Sequence, residues 1–541
     1  MSYEQPPRFR VKGWLDNEQF RHLLEFSDYV GRQRDSSIFQ LNYDKAKREG
    51  YEAGDLLKEI EGLGDLVPQE DLATVRGYLL KNYSVEVAID GGRLLIRSPK
   101  VMLKDYLSDF SERSAIRYSH DLRAYIAPPY LYSDVVKFLG SKGLLVVDEV
   151  DLINKARLPR QLNFVGELRP YQQEALEKWL GNSGRGIVVL PTGAGKTVVG
   201  VAALAKLGVR TLIVAYTKEQ VKQWGDAVRK FTDGAGLVGL YYGDEKVQAP
   251  ITITTYQTAF RRAKEFSDKY ALLIIDEAHH LPADKFKAIA ISMAAPYRMG
   301  LSATAVREDG KHEEIFPLMG GIVYQKSASE LIEQGYLAPF RIVRVYVKLA
   351  PEEQKAYDEL RKRYLALAGG RTFDELLEMA KKGDPAAAEA LRVRAQMQEI
   401  VQQSKSKIQK VVEIASQELK KGSKIIVFTQ FRKQAEEIAD LLHAYLIHGE
   451  LDKDARLRAL EGFKRAPSGV LVVTTVGDEG LDIPDANVGI YVSGTGSRRQ
   501  FVQRLGRLLR PAPGKVATLY EVVASGTSEL AQSRKRREAL E

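Results

Sequence analysis

The chain of 541 residues contains no cysteine. That excludes disulfides, cysteine-ligated zinc and iron–sulfur clusters. Histidine is scarce, with seven, so a structural metal would have to lean on carboxylates. No apolar run approaches the roughly 18 residues that would span a bilayer, so no membrane partner is expected. The opening stretch MSYEQPPRFRVKG lacks the apolar core of a secretion signal. These absences lead to the expectation of an intracellular protein. A strong charge of one sign is also lacking. The 80 Lys and Arg against 71 Asp and Glu leave +9, a mild basic excess compatible with phosphate backbones but not diagnostic of them.

The length suggests three or four domains at about 150 residues each. Two stretches alternate short apolar runs with helical patterns, the sign of parallel α/β sheets. Residues 158–335 form the first, with strands expected at 186–190, 211–215, 251–255, 271–275 and 298–302. Residues 336–349 and 408–541 form the second, with strands at 425–428, 445–447, 470–474, 488–492 and 517–522. Between them, 350–407 is rich in helix formers and charge and reads as a helical insertion. Residues 1–80 and 81–157 carry no phosphate-loop or acidic metal motif. Both contain an S-x-I strand, a charged turn and a closing helix, so 1–80 reads either as a first copy of the small α+β module at 81–157 or as an unrelated cap on one domain.

The strongest signal is GIVVLPTGAGKTVVGVAAL. An apolar strand enters a Gly-rich turn, Thr192-Gly193-Ala194-Gly195, and a helix opens at Lys196. Such a turn lets backbone N–H groups face phosphate oxygens at a helix N-terminus. Lys196 would reach the β and γ phosphates of ATP, and Thr197 would ligate Mg²⁺. Leu190 stands where the general pattern has its first glycine. In YALLIIDEAHH, a strand delivers Asp276 to hold Mg²⁺ and Glu277 to orient and deprotonate the attacking water. In QRLGRLLRP, Arg507 and Arg510 share a helix face and would stabilise the transferring phosphoryl group. Alone, two such arginines are usually solvated. With the first lobe's motifs beside them, they place ATP in a cleft between lobes. Upstream, Arg169 and Gln172 of LRPYQQEAL are candidates for reading adenine, with a plain helix start as the alternative.

Together with LIVAYT, ITTYQT, LSAT, VFTQF and TTVGDEGLDIP, in this order, these motifs resemble those of superfamily 2 helicases. The match runs from about residue 168 to 526. Arg307-Glu308-Asp309, directly after LSAT, resembles the R-E-D element of the XPB family, and the helical insertion resembles its thumb. The fold implied is α/β: two RecA-like parallel-sheet helicase lobes with an N-terminal α+β region and a helical thumb-like insertion. Residues 81–157 match the family's damage-recognition module in pattern.

The resemblance implies an ATP-dependent DNA helicase or translocase of 3′-to-5′ polarity. It implies work in nucleotide excision repair or promoter opening, a structure-specific nuclease as partner, and a cytoplasmic, nucleoid-associated location. It assigns strand contacts to Thr217, Thr254, Thr255, Thr429, Gln430 and Thr475, and strand parting to Arg307, Glu308 and Asp309. Gly480, Asp482 and Gln503 fall among its nucleotide contacts. Ser302 and Thr304 would link the metal site to lobe movement. Arg361, Lys362, Arg363, Arg392 and Arg394 of the insertion could wrap the strand, and the SRKRR run at 533–537 could add backbone attraction. Two other readings stand beside this one: an RNA helicase on the same core, and an ATP-switched platform that recruits a partner without net unwinding.

Overall fold

A computed structural model describes residues 5–303, 311–337, 340–474, 486–492 and 517–530. Thr304, Arg307, Glu308, Asp309, Thr475, Gly480, Asp482, Gln503, Arg507, Arg510 and the 533–537 run lie outside the described residues.

Four sheets organise the described residues. The largest has eight strands. Its order is Glu245–Lys246, Val238–Tyr242, Ile251–Thr255, Thr211–Ala215, Leu272–Asp276, Tyr297–Ser302, Arg185–Val189 and Ile322–Gln325. Every pairing is parallel except the terminal hairpin between Val238–Tyr242 and Glu245–Lys246. The central strands Thr211–Ala215, Ile251–Thr255 and Leu272–Asp276 are buried at every position. Helices on both faces explain why these strands read as unbroken apolar runs. All five strands expected here are present within a residue or two. Three were not foreseen: Val238–Tyr242, Glu245–Lys246 and Ile322–Gln325. They lie at the sheet's margins, where partial exposure interrupts the apolar run.

The second parallel sheet has six strands: Phe340–Val347, Ala517–Ala524, Val488–Tyr491, Lys424–Thr429, Gly469–Thr474 and Tyr445–Ile447. Phe340–Val347 pairs with Ala517–Ala524 over its whole length, so the chain enters this sheet before the insertion and returns after it. The insertion consists of helices Pro351–Ala368, Phe373–Lys381 and Pro385–Gln402. Helix Lys405–Leu419 then packs against the sheet through Val411, Ile414 and Ala415. Glu353 fixes this junction, accepting hydrogen bonds from Ser404 Oγ (2.9 Å) and Lys405 N (3.0 Å). Lys407, fully buried, pairs with Glu529 at 2.6 Å and donates to the Val492 carbonyl.

The cations expected to wrap a strand are mostly engaged within the insertion. Arg363 and Arg392 both pair with Glu389, at 2.6 and 3.3 Å, and the Arg394 guanidinium lies 4.1 Å over the Phe373 ring. Arg361 and Lys362 are exposed.

The N-terminal region holds two smaller sheets. One is antiparallel, ordered Arg8–Lys12, Ser36–Leu41, Ser27–Gln33. The other is ordered Arg117–Ser119, Ala124–Ala127, Arg93–Arg97, Ser84–Asp90, Leu145–Asp148. Both halves have a closing helix, Ala53–Gly62 and Tyr132–Ser141. Before it they differ. The first has helix Tyr43–Arg48 where the second has a turn and the strand Ala124–Ala127. The halves meet where the Gly54 N–H donates to the Gly143 carbonyl at 2.9 Å. A Cβ on Gly54 would lie 2.7 Å from that oxygen, so only glycine permits this approach. Glu52 sits at the same seam, accepting from Tyr43 (2.9 Å) and from Tyr106 of the second half. Asp134 of the second half pairs with Arg185, at the start of the strand leading to the phosphate loop.

Candidate nucleotide site

Two neighbours in the eight-stranded sheet, Arg185–Val189 and Tyr297–Ser302, and the next strand, Leu272–Asp276, end on one edge. Ligands gather at the carboxyl ends of strands in such sheets. The turn after Arg185–Val189 is held to that edge by the Leu190 N–H, which donates to the Ser302 carbonyl at 3.0 Å. Gly193 and Gly195 take φ of +87° and +78°, left-handed values that favour glycine. Gly195 caps helix Lys196–Leu207, whose first amides face the turn. Lys196 Nζ donates to the Leu190 carbonyl at 3.1 Å, folding the side chain back over the loop. The Thr192 hydroxyl oxygen is buried and has no hydrogen-bond partner among the described residues. A buried polar group without a partner is costly, which fits a loop built to receive a ligand's oxygens.

Gln172 lies beneath this loop, 5% exposed. Its Oε1 accepts from the Arg169 N–H at 3.0 Å and its Nε2 donates to the Ala194 carbonyl at 2.9 Å. Tyr171 donates to the same carbonyl at 2.7 Å. Arg169 reaches the Tyr336 carbonyl at 3.0 Å. Gln172, expected to read adenine, here fastens the loop to helix Pro170–Gly181, a role that sequence reading did not assign it, while Arg169 ties the start of that helix to Tyr336.

Asp276 is the last residue of its strand and 8% exposed. Its Oδ2 accepts from the Trp224 indole at 2.8 Å and its Oδ1 from the Glu277 N–H at 2.9 Å. Burial pushes the Asp276 carboxyl above its ordinary value, and the Trp224 bond, the nearby Lys196 charge and the Glu277 N–H oppose that rise. Glu277 takes φ +49°, ψ +50°, an uncommon conformation for a residue with a Cβ. The Tyr256 hydroxyl supports it, lying 2.9 Å from the Asp276 carbonyl and 3.1 Å from the Glu277 carbonyl. His279 Nδ1 lies 3.4 Å from Glu277 Oε2 and 3.2 Å from Ser302 Oγ. Ser302 thus lies beside the ring that faces Glu277. Neither Tyr256 nor His279 was singled out in the sequence. His279 could have been found from its place two residues after Glu277 in DEAHH. Tyr256 carries no such signal.

The structure does not bring all six assigned strand contacts to a surface. Thr254 is fully buried and its hydroxyl donates to the Tyr241 carbonyl at 2.7 Å, so it ties one strand to the next and does not face a ligand. Thr429 is also fully buried and bonds to Gln434, whose amide donates to the Gln402 carbonyl at the end of the insertion. Neither hydroxyl reaches the surface. Thr217 is half-buried and caps helix Lys218–Phe231, accepting from Gln220 N at 3.2 Å. Thr255 caps helix Tyr256–Arg261 and donates to Thr258 Oγ1 at 3.0 Å. Gln430 is half-buried. Tyr216, next to Thr217, stacks on His280 with centroids 3.7 Å apart and planes 4° from parallel. The Thr217 and Thr255 loops thus join the acidic pair through Tyr216, His280 and Tyr256.

Residues 166–307 match the family model described as type III restriction enzyme, res subunit, and residues 389–540 match ERCC3/RAD25/XPB C-terminal helicase. A DNA 3'-5' translocase XPB2 of Sulfurisphaera tokodaii is 41% identical over 432 residues, 78% of this chain and 96% of the relative. The general transcription and DNA repair factor IIH helicase/translocase subunit XPB of Antonospora locustae is 28% identical over 529 residues, 91% of this chain and 72% of that one. The Pyrococcus furiosus Hef helicase domain superposes with a TM-score of 0.47 at 22% identity, covering 68% of this chain and 98% of that one. Two parallel-sheet lobes, a phosphate loop backed by a buried acidic pair, and a 41% identical relative matched over nearly its whole length together establish that the chain belongs to the XPB family of superfamily 2 helicases.

Proposed function

We propose that this chain is a DNA-dependent ATPase that translocates on DNA with 3′-to-5′ polarity, in nucleotide excision repair or promoter opening. The observation carrying the reading is the joint between Glu277 and the strand-facing loops. Tyr256 supports the Asp276 and Glu277 carbonyls while its own helix is capped by Thr255. A DNA strand pressing on that loop therefore acts on the catalytic backbone directly. The names of the XPB relatives support a motor on DNA. The division at residues 80, 157, 335, 350 and 407, and a structure-specific nuclease as partner, belong to the same proposal.

The chain's residues divide the work. Lys196 leaves the Leu190 carbonyl to meet the β and γ phosphates, and the helix amides behind Gly195 face the same oxygens. Glu277 accepts a proton from the attacking water, oriented by His279. The Asp276 carboxylate and the Thr197 hydroxyl are hard oxygen donors suited to Mg²⁺. That ion, when bound, neutralises phosphate charge. Arg507 and Arg510 would complete the charge clamp from the second lobe. ATP would then favour a closed pair of lobes, and loss of the γ phosphate would release them.

The direct test is displacement of a triplex-forming strand from duplex DNA. ATP-driven displacement by the native chain, absent with Lys196→Ala, is expected. ATP turnover without displacement on any DNA would refute translocation.

A further inference from the structure

The N-terminal antiparallel sheet ends in a tip that the motor reading does not use. Its register runs Lys12 opposite Ser36 and Ser36 opposite Gln33, with the hairpin turn at Arg34 and Asp35 beyond. The Gly13 N–H donates to the Asp35 carbonyl at 2.8 Å, carrying the ladder one step further. Gly13 takes φ +84° there and turns the chain outward. The next residue, Trp14, is 86% exposed. The chain's other two tryptophans, Trp179 and Trp224, are fully buried. The Arg32 guanidinium lies 3.8 Å from the centroid of the Trp14 ring and also reaches the Gly13 carbonyl at 3.4 Å. One face of the indole is thus held by a cation, and the other is presented to solvent.

Three cations of this region are held in ion pairs, Arg10 with Asp71, Lys45 with Asp28 and Arg76 with Glu61. Lys12, Arg32 and Arg34 are exposed. Among the described residues no carboxylate pairs with any of the three. The acids beside them are already engaged. Asp16 accepts from Gln19 N at 2.7 Å as a helix cap, and Asp35 accepts from Ser36 Oγ at 3.1 Å. A flat ring among unpaired cations suits a ligand with an aromatic face and anionic links between repeats. Stacking on an aromatic side chain within a basic track is how proteins hold single strands without regard to sequence.

We infer that this tip is a binding site for unpaired DNA, with Trp14 as the stacking platform for one base and Lys12, Arg32 and Arg34 meeting the flanking phosphates. The site rests on the DNA-acting reading above but is separate from the motor's residues.

Because Trp14 is the one exposed tryptophan, iodide quenching of the full chain reads it selectively. The titration uses a labelled oligo-dT strand without nucleotide, and its anisotropy reports saturation independently. Protection of the iodide-accessible emission at saturation is expected, with much less protection by blunt duplex. Trp14→Ala should weaken oligo-dT binding on the order of tenfold, leave ATP turnover at saturating DNA unchanged and remove the quenchable signal. Unchanged iodide access at full saturation would overturn the inference while leaving the motor reading intact. So would equal protection by duplex, or protection only by a protein ligand. Failure of the motor reading would appear differently, as ATP turnover that no DNA stimulates, whatever the iodide titration shows.

Discussion

Replacing Tyr256 by Phe removes one oxygen from beneath the acidic pair and leaves the ring in place. The ring packs edge-on against Phe286 at 5.0 Å and lies edge-on to the His280 ring at 6.2 Å, contacts that phenylalanine keeps. What is lost is the hydroxyl hydrogen shared between the Asp276 and Glu277 carbonyls at 2.9 and 3.1 Å. Leaving a buried acceptor without its donor costs about 1–3 kcal/mol. Glu277 already holds a left-handed backbone, itself disfavoured by about 1–2 kcal/mol for an L-residue, so its orientation is where the loss will be felt. At about 1.4 kcal/mol per tenfold in rate, turnover should fall roughly 5- to 100-fold. The fall should lie in DNA-stimulated kcat, with KM for ATP little changed, because the phosphate loop is untouched. Steady-state ATPase assays with saturating DNA, alongside a melting curve, read this directly. A folded Tyr256→Phe protein with unchanged stimulated kcat would refute the link between the Thr255 loop and the acidic pair.

Three further outcomes follow from neighbouring geometry. Gly195→Ala adds a left-handed backbone cost of about 1–2 kcal/mol and a Cβ only 2.5 Å from Gln172 Nε2. Nucleotide affinity by equilibrium binding should drop at least tenfold. Glu277→Gln should bind ATP normally and lose about 10²–10⁴ in turnover, read by single-turnover hydrolysis. Arg298 is fully buried and donates to the carbonyls of Ala290, Met293, Ala295 and Leu318. Burial pushes its pKa down to about 9, with Arg185 adding to the fall. Arg298→Lys keeps the charge but offers three donors without the planar fork, so it should destabilise the fold by about 1–3 kcal/mol, read by denaturant unfolding.

The parts of the fold legible in the sequence were those where burial is complete. Leu272–Asp276 and Thr211–Ala215 are surrounded on both faces, so their runs admit little polar interruption. Among the strands that escaped notice, Val238–Tyr242 mixes buried and half-buried positions, Ile322–Gln325 is exposed at both ends, and Phe340–Val347 is interrupted by Arg341 and Arg344. The phosphate loop was legible because left-handed φ at Gly193 and Gly195 demands glycine. The threonines were not, because a hydroxyl at a strand end reads the same whether it faces a ligand or a neighbouring carbonyl. Thr254 and Thr429 turned inward, and Thr217 and Thr255 became helix caps. The partners of Arg363 and Arg392 show the same limit. The Glu389 to Arg392 spacing could be read along one helix, whereas the Arg363 contact comes from another.

The central claim is that a triphosphate on the Gly193–Gly195 loop is cleaved when DNA engages the Thr217 and Thr255 loops. It is tested most directly by ATP hydrolysis across single-stranded, duplex, forked and bubble DNA and RNA, with Lys196→Ala as control. The account predicts turnover raised well above the DNA-free rate by DNA, little raised by RNA, and abolished in Lys196→Ala. A purified, folded chain whose turnover is indifferent to every DNA, or survives loss of Lys196, would contradict it.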